Sequence, residues 1–401
     1  MNAVRLPSPG RLLTGYVPST DLPPQTPSRA PRSASANPAV TNAQGVRLLR
    51  ANVTSLNCSI VKDQSPQALG VTCWFDARDD GVPYDVELKF TGTKTETDSE
   101  EPRSFVATRT VSGVLPGIGA MAYTTRFADI EPGIWNITAG AVEPGSTRPP
   151  KELVTAAGHT AFRPVVSEVA PGMSMGAWPA MVGLGALAGV GSLLALVARY
   201  DISVWATLIL AVVACVVGLV GAKVYYLIQS TGRTSLLSSA GMCIQGFVIA
   251  AFVTVIAGAK LWGLPWASLL DLAVPGLMFG MLLGRFGCWR GGCCAGRPST
   301  SRLALWSTDR ELGVRRIPVQ LIEGAAAGVL GVVASLLVWR SLPQPPGALF
   351  VADIAVYVIL RQLLFPLRGQ AQHSRRGRYA AFIVATVALV AAVWLLASSA
   401  N

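Results

Sequence analysis

The run Gly284-Arg285-Phe286-Gly287-Cys288-Trp289-Arg290-Gly291-Gly292-Cys293-Cys294-Ala295-Gly296-Arg297-Pro298 holds the densest set of groups that could do chemistry. Its five glycines let the backbone approach a ligand closely and offer it N–H groups. Its three arginines, Arg285, Arg290 and Arg297, carry the forked donors that grip phosphate. Its cysteines, Cys288, Cys293 and Cys294, admit three readings: a disulfide, a nucleophilic thiol or metal ligands. Metal calls for more ligands, and both histidines, His159 and His373, are remote, so neither metal nor cofactor is expected. If the loop faces an oxidising exterior, a disulfide from Cys288 to Cys293 or Cys294 is favoured. An arginine beside a thiol lowers its pKa, which keeps the nucleophile open.

A second set of ionisable groups sits in runs that are otherwise apolar. It comprises Lys223 beside Tyr225 and Tyr226, then Asp271, Glu323 and Asp353, and Tyr357 one helical turn before Arg361. Charge at membrane depth is costly and marks either function or a fixed partner. Lys223 has a plain alternative in snorkelling to the interface. Arg285 and Glu323 have one as a packing pair that orients two helices. Arg361 is too central to stand without a partner.

The elements that must position these groups are membrane helices. Of 401 residues 51% are hydrophobic and 14% charged, against about 25% charged in soluble domains. Apolar runs at roughly 178–198, 203–228, 239–259, 267–287, 318–339, 348–366 and 379–397 are each long enough to cross a ~30 Å core as helix. Seven spans follow, with a polar, arginine-bearing loop at 288–317 between the fourth and fifth. The net charge of +11 resides in the membrane half, where residues 176–401 hold 17 Lys/Arg against 6 Asp/Glu. That placement points to anionic lipid headgroups and away from nucleic acid.

Residues 1–44, rich in Pro, Ser, Ala and Thr, read as disordered. Pro7, Pro9, Pro18, Pro23 and Pro24 interrupt each apolar stretch that could serve as a signal peptide, so no usual one is expected. Residues 45–165 carry short, partly alternating segments: Val46–Val53, Gly70–Phe75, Val82–Thr91, Phe105–Val111, Tyr123–Phe127 and Ile134–Val142. Turn formers such as Asp79-Asp80-Gly81, Pro116-Gly117 and Pro132-Gly133 separate them. The pattern predicts a small all-β sandwich of immunoglobulin/fibronectin type. Cys58 and Cys73 fall on neighbouring strands, as a staple or as two reduced core thiols, and Trp74 is expected in the core. Residues 166–177 link this domain to the membrane domain at 178–397.

From about Trp178 to Leu396 the chain resembles the prolipoprotein diacylglyceryl transferases. These are seven-span bacterial enzymes that move a diacylglyceryl group from phosphatidylglycerol to the lipobox cysteine of an exported protein. The signature closing their fourth span, Gly-Arg-x-Gly-Asn-Phe-x-Asn-Gly, is matched by Gly284-Arg285-Phe286-Gly287-Cys288-Trp289-Arg290-Gly291-Gly292. The resemblance implies lipid binding and catalysis for Arg285. An aspartate ahead of that span falls on Asp271. The family's Pro-Ser-Gln-Leu-Tyr-Glu is similar to Pro318-Val319-Gln320-Leu321-Ile322-Glu323, and its Tyr-Gly-x-x-Arg to Tyr357-Val358-Ile359-Leu360-Arg361. A Gly-x-Arg/Lys-x-x-Tyr motif falls on Gly221-Ala222-Lys223-Val224-Tyr225-Tyr226, and a later Phe-Phe-Arg falls loosely on Phe365-Pro366-Leu367-Arg368.

The departures bear on the reaction. The family's third-span histidine is Gln245, which hydrogen-bonds but takes no proton at neutral pH. Cys288, Gly291 and Cys293 replace two asparagines and a glutamate. On this resemblance Arg285, Arg361, Gln245 and Tyr357 are the expected catalytic residues. Arg285, Arg361, Lys223, Tyr226, Arg290, Arg297, Glu323 and Asp271 are expected around the headgroup of a phosphatidylglycerol-like lipid. The leading expectation is diacylglyceryl transfer to an exported protein's cysteine. A second is transfer of another phospholipid- or polyprenyl-phosphate-derived group to an envelope glycan or protein, and a third is a non-enzymatic lipid-binding envelope scaffold. The count of Lys/Arg in the loops favours a cytoplasmic N-terminus. The resemblance implies the reverse: a bacterial plasma-membrane protein with its β-domain outside, where a Cys58–Cys73 disulfide is expected, and its C-terminus in the cytoplasm.

Overall fold

In a computed structural model the chain is described at residues 46–54, 65–95, 103–142, 150, 152–164, 166, 169–229, 243–369 and 375–399. The 1–44 segment and Cys58 lie outside these residues. The chain divides into two compact units. One takes in residues up to 175 together with 288–319 and 367–373; the other comprises 176–287, 320–366 and 374–401.

The first unit is built of antiparallel strands: β1 (Arg47–Thr54), β2 (Gln67–Asp76), β3 (Tyr84–Lys94), β4 (Ser104–Val114), β5 (Ala120–Ala128), β6 (Ile134–Val142), β7 (Val154–His159) and β8 (Ala161–Phe162). Two more come from far along the chain, β9 (Leu305–Thr308) and β10 (Leu312–Arg316). One sheet runs β1-β2-β5-β10-β9, with β8 also on β2, and the other runs β4-β3-β6-β7. The 288–317 segment, expected as a plain loop, thus supplies a hairpin that covers the open edge of β5, pairing Leu312 with Tyr123. Covering an edge removes a row of unpaired backbone groups.

Both sheets contribute to one core, including Leu69, Cys73 and Phe75 from β2, Leu88 and Phe90 from β3, and Ile137 from β6. Side chains alternate across a strand, so Cys73 points into that core and Trp74 points out of it. Trp74 is therefore not the core residue expected. It stacks on Trp306 of the hairpin (centroids 5.4 Å apart) with the Arg50 guanidinium over its ring. Cys73 is a free thiol, not half of the expected disulfide.

The second unit is helical: α1 (Ala177–Arg199), α2 (Val204–Gln229), α3 (Ile244–Leu261), α4 (Trp266–Arg290), α5 (Val319–Arg340), α6 (Ala348–Leu364) and α7 (Arg375–Ser398). Among the described residues six are long and apolar enough to cross a membrane, and α3 is the shorter exception. Large apolar side chains such as Leu187, Trp205, Val329 and Trp394 stand exposed along them, as a lipid solvent allows and water does not. Where helices touch, glycine sets the distance. A Cβ on Gly276 of α4 would lie 2.4 Å from the carbonyl oxygen of Gly189 in α1, and Gly280 meets Gly185 one turn on. Gly246 of α3 similarly abuts the backbone of Gly221 in α2.

Candidate functional site

Arg285 lies in the last turns of α4, and two neighbouring helices hold its guanidinium. Glu323, in the first turns of α5, places Oε2 3.0 Å from Arg285 Nε, with both side chains almost wholly buried. The Tyr357 hydroxyl of α6 accepts from Arg285 Nε at 3.4 Å and Nη2 at 3.3 Å. Gly324, after Glu323, permits the approach: a Cβ there would sit 3.2 Å from Arg285 Cβ. A buried ion pair with a phenol on the same cation holds the fork in one orientation, and an arginine so fixed is suited to an oxyanion such as phosphate.

Tyr357 is the middle of a line on α6. Asp353 precedes it and Arg361 follows it at four-residue spacing, so all three share a face. Asp353 is 5% exposed, and its Oδ2 finds no hydrogen-bond partner among the described residues. Arg361 is half-buried. Asp353 was not among the expected site residues; its signal was a carboxylate in an apolar span one turn from Tyr357.

The other expected residues fall elsewhere. Asp271, fully buried in the second turn of α4, accepts from the backbone N–H groups of Gly347 (2.6 Å) and Phe350 (2.8 Å). It caps α6, meeting the orphan donors and positive end of that helix. Lys223 and Tyr226 are half-buried on α2. Gln245 is exposed in the first turn of α3, where it accepts from the Cys243 thiol at 3.0 Å.

In the sheet unit, Arg290 donates to Ser174 Oγ at 2.7 Å, and Arg297 donates to the carbonyl of Arg368 at 3.4 Å. Each ties one stretch of backbone to another. Cys288, Cys293 and Cys294 stay as thiols and do not form the expected disulfide. Cys293 Sγ instead faces the Cys288 carbonyl, 3.7 Å away. Hydrogen bonds with the thiols of Cys288 and Cys294, and then burial, push the Cys293 thiol above its usual pKa.

Comparison with known proteins places a match where the helical bundle lies. The model of the prolipoprotein diacylglyceryl transferase family matches residues 164–398. A phosphatidylglycerol–prolipoprotein diacylglyceryl transferase of Dehalococcoides mccartyi is 30% identical over 171 residues, covering 40% of this chain and 65% of the relative. One from Clostridium tetani is 26% identical over 170 residues, 40% of this chain and 67% of the relative. One from Chloroflexus aggregans is 30% identical over 122 residues, 29% of this chain and 36% of the relative. The chain thus spans about two thirds or less of these relatives' length.

Proposed function

Given that this chain belongs to the prolipoprotein diacylglyceryl transferase family, we propose that it transfers the diacylglyceryl group of phosphatidylglycerol to a cysteine of an exported protein. The observation that carries this reading is the Arg285 guanidinium, held between Glu323 and Tyr357 inside the helical unit. With Arg361 one turn beyond Tyr357, two cations flank one tyrosine. Together they grip the lipid phosphate and stabilise the charge that gathers on it. The acceptor sulfur bonds to the terminal glyceryl carbon as that carbon's bond to the phosphate oxygen breaks. Glycerol phosphate leaves with the electron pair. Tyr357 and Gln245 orient the glyceryl portion.

The thiol proton needs an acceptor that Gln245 cannot be. Asp353, a buried carboxylate one turn from Tyr357 with an oxygen to spare among the described residues, takes that part. Lys223 and Tyr226 stand further out along the lipid's path. Gln245 in place of the family histidine favours a second reading, with a different donor lipid or an envelope-glycan acceptor on the same cationic site.

The topology follows the family. The 18 residues of α3 make about 27 Å of helix, close to the ~30 Å core, and serve as the seventh crossing. The sheet unit lies outside the bacterial plasma membrane and the C-terminus inside. Strand order 1-2-5 against 4-3-6-7 supports reading the sheet unit as an immunoglobulin/fibronectin-like sandwich, extended by the β9–β10 hairpin. An impermeant thiol reagent on intact cells should label a single cysteine engineered into residues 65–142 of a cysteine-free variant. Labelling only after lysis overturns the orientation.

The activity is tested by complementation of a strain depleted of its own diacylglyceryl transferase, with mass analysis of lipoprotein N-termini. The expected result is a diacylglyceryl adduct with the wild-type chain and none with stably inserted Arg285→Ala or Arg361→Ala. A wild-type chain that inserts but yields no adduct sinks the leading reading. A phenotype that survives both arginine changes but not deletion of the sheet unit indicates a scaffold.

A further inference from the structure

Helix α4 ends in a backbone device that gathers sulfur. Gly292 takes the left-handed conformation (φ +63°), and the Cys293 N–H donates to the Cys288 carbonyl five residues back at 3.1 Å. These two features define a Schellman cap, with Gly292 just past the helix end and Cys293 one residue further. In such caps the residue at Cys293's position meets the one at Cys288's position, ordinarily as an apolar contact. Here both are cysteines. The next residue, Cys294, also adopts a positive φ (+55°), which is uncommon for a side chain other than glycine. That turn brings in a third sulfur, and the three Sγ atoms lie within 4.8 Å of one another.

The donor set is soft throughout: three thiols, with no imidazole or carboxylate in the group. Met173 packs on the same turn, since a Cβ on Gly292 would lie 3.4 Å from its Sδ. Thiolates favour zinc and monovalent copper alike, but structural zinc closes with four ligands, so a set of three points to copper. Arg290 and Arg297 bracket the cluster in sequence. Cys288 is buried while Cys293 and Cys294 are half-buried, which leaves a way in for an ion.

We propose that Cys288, Cys293 and Cys294 form a three-thiolate site for monovalent copper. On binding, three S–H bonds give up their protons to solvent and three Cu–S bonds form; the metal's oxidation state does not change. The site is independent of the lipid chemistry proposed above.

The test uses the full chain in detergent, reduced and kept free of oxygen, titrated with Cu(I) against a chromophoric Cu(I) chelator. The expected result is one Cu(I) per chain, bound through three sulfurs by X-ray absorption. Each of Cys288→Ser, Cys293→Ser and Cys294→Ser should weaken it by at least the roughly 10–100-fold that loss of even an outer-shell partner costs. Cys215→Ser, in α2, should leave it unchanged. Equal retention by the triple serine variant, with the same elution volume as wild type, overturns the proposal. So does a purified chain whose mass is lower by two hydrogens through a disulfide within the trio, or a Zn(II) site that excludes Cu(I).

Discussion

The hydroxyl of Tyr357 lies 3.3 Å from Nη2 of Arg285, on the guanidinium whose Nε faces Glu323 at 3.0 Å. Three helices therefore meet on one buried cation. Removing only the cation leaves Glu323 buried and uncompensated, which costs about 3–5 kcal/mol. Removing both charges together avoids that penalty. Arg285→Met should therefore lower the melting temperature in detergent, and Arg285→Met with Glu323→Met should recover most of the loss. Neither should give transferase product. A double variant as unstable as the single one contradicts the pairing.

Tyr357→Phe removes the hydroxyl and keeps the ring. Hydrogen bonds to charged groups contribute about 1.5–3 kcal/mol, so activity should fall roughly ten- to a hundredfold with the ion pair intact. Asp353→Asn keeps shape and removes the proposed proton acceptor. It should lower kcat and leave KM for phosphatidylglycerol near the wild-type value. A raised KM with unchanged kcat would assign Asp353 to lipid binding instead.

Asp271 separates helix capping from headgroup binding. Its two carboxylate oxygens accept two backbone N–H groups at the start of α6. Asn keeps one acceptor and Ala none. Loss of a cap costs about 0.5–2 kcal/mol, so melting temperature should fall from Asp271 to Asn to Ala. Apparent affinity for phosphatidylglycerol should hold across the series, and a parallel loss of affinity would return Asp271 to the headgroup.

Much of this was legible in the residues. Apolar runs marked the helices, six of them long enough to span among the described residues, and alternation marked the strands from Val46 to Val142. Opposite charges in lipid marked Arg285 and Glu323 as partners, and four-residue spacing joined Tyr357 to Arg361. The capping by Asp271 was hidden because its partners are backbone N–H groups, which no side-chain type reveals. The β9–β10 hairpin was hidden because its strands are short, β10 ends in two arginines, and Leu312 pairs with Tyr123 from nearly half the chain away. Trp74 was misplaced because its face depends on a register that composition does not set. The gathering of Cys288 with Cys293 required a left-handed Gly292, which spacing alone leaves open.

Glycines in α4 test which contacts are close. A Cβ on Gly276 would lie 2.4 Å from the Gly189 oxygen, whereas one on Gly284 would meet nothing within 4 Å. Gly276→Ala should force α1 and α4 apart and destabilise the bundle. Gly284→Ala should be neutral or stabilising by up to about 1 kcal/mol, from helix propensity alone. Equal losses for both would mean that the α1–α4 contact is not glycine-limited.

Cys73 gives the sheet unit a pH dependence with a definite sign. Burial pushes its thiol from the ordinary 9.0 up to about 12. The folded chain therefore holds this proton more tightly than the unfolded chain, and stability falls as pH rises wherever the folded state binds more protons. The contribution is whole below about pH 9 and drains away between 9 and 12. Hydrogen exchange across β2 should accelerate over that window, and Cys73→Ala should flatten the dependence. At pH 8 the folded wild-type chain should leave Cys73 unalkylated while urea exposes it, because the thiolate is the reactive form. Prompt alkylation of folded protein at pH 8 would contradict the buried, protonated thiol.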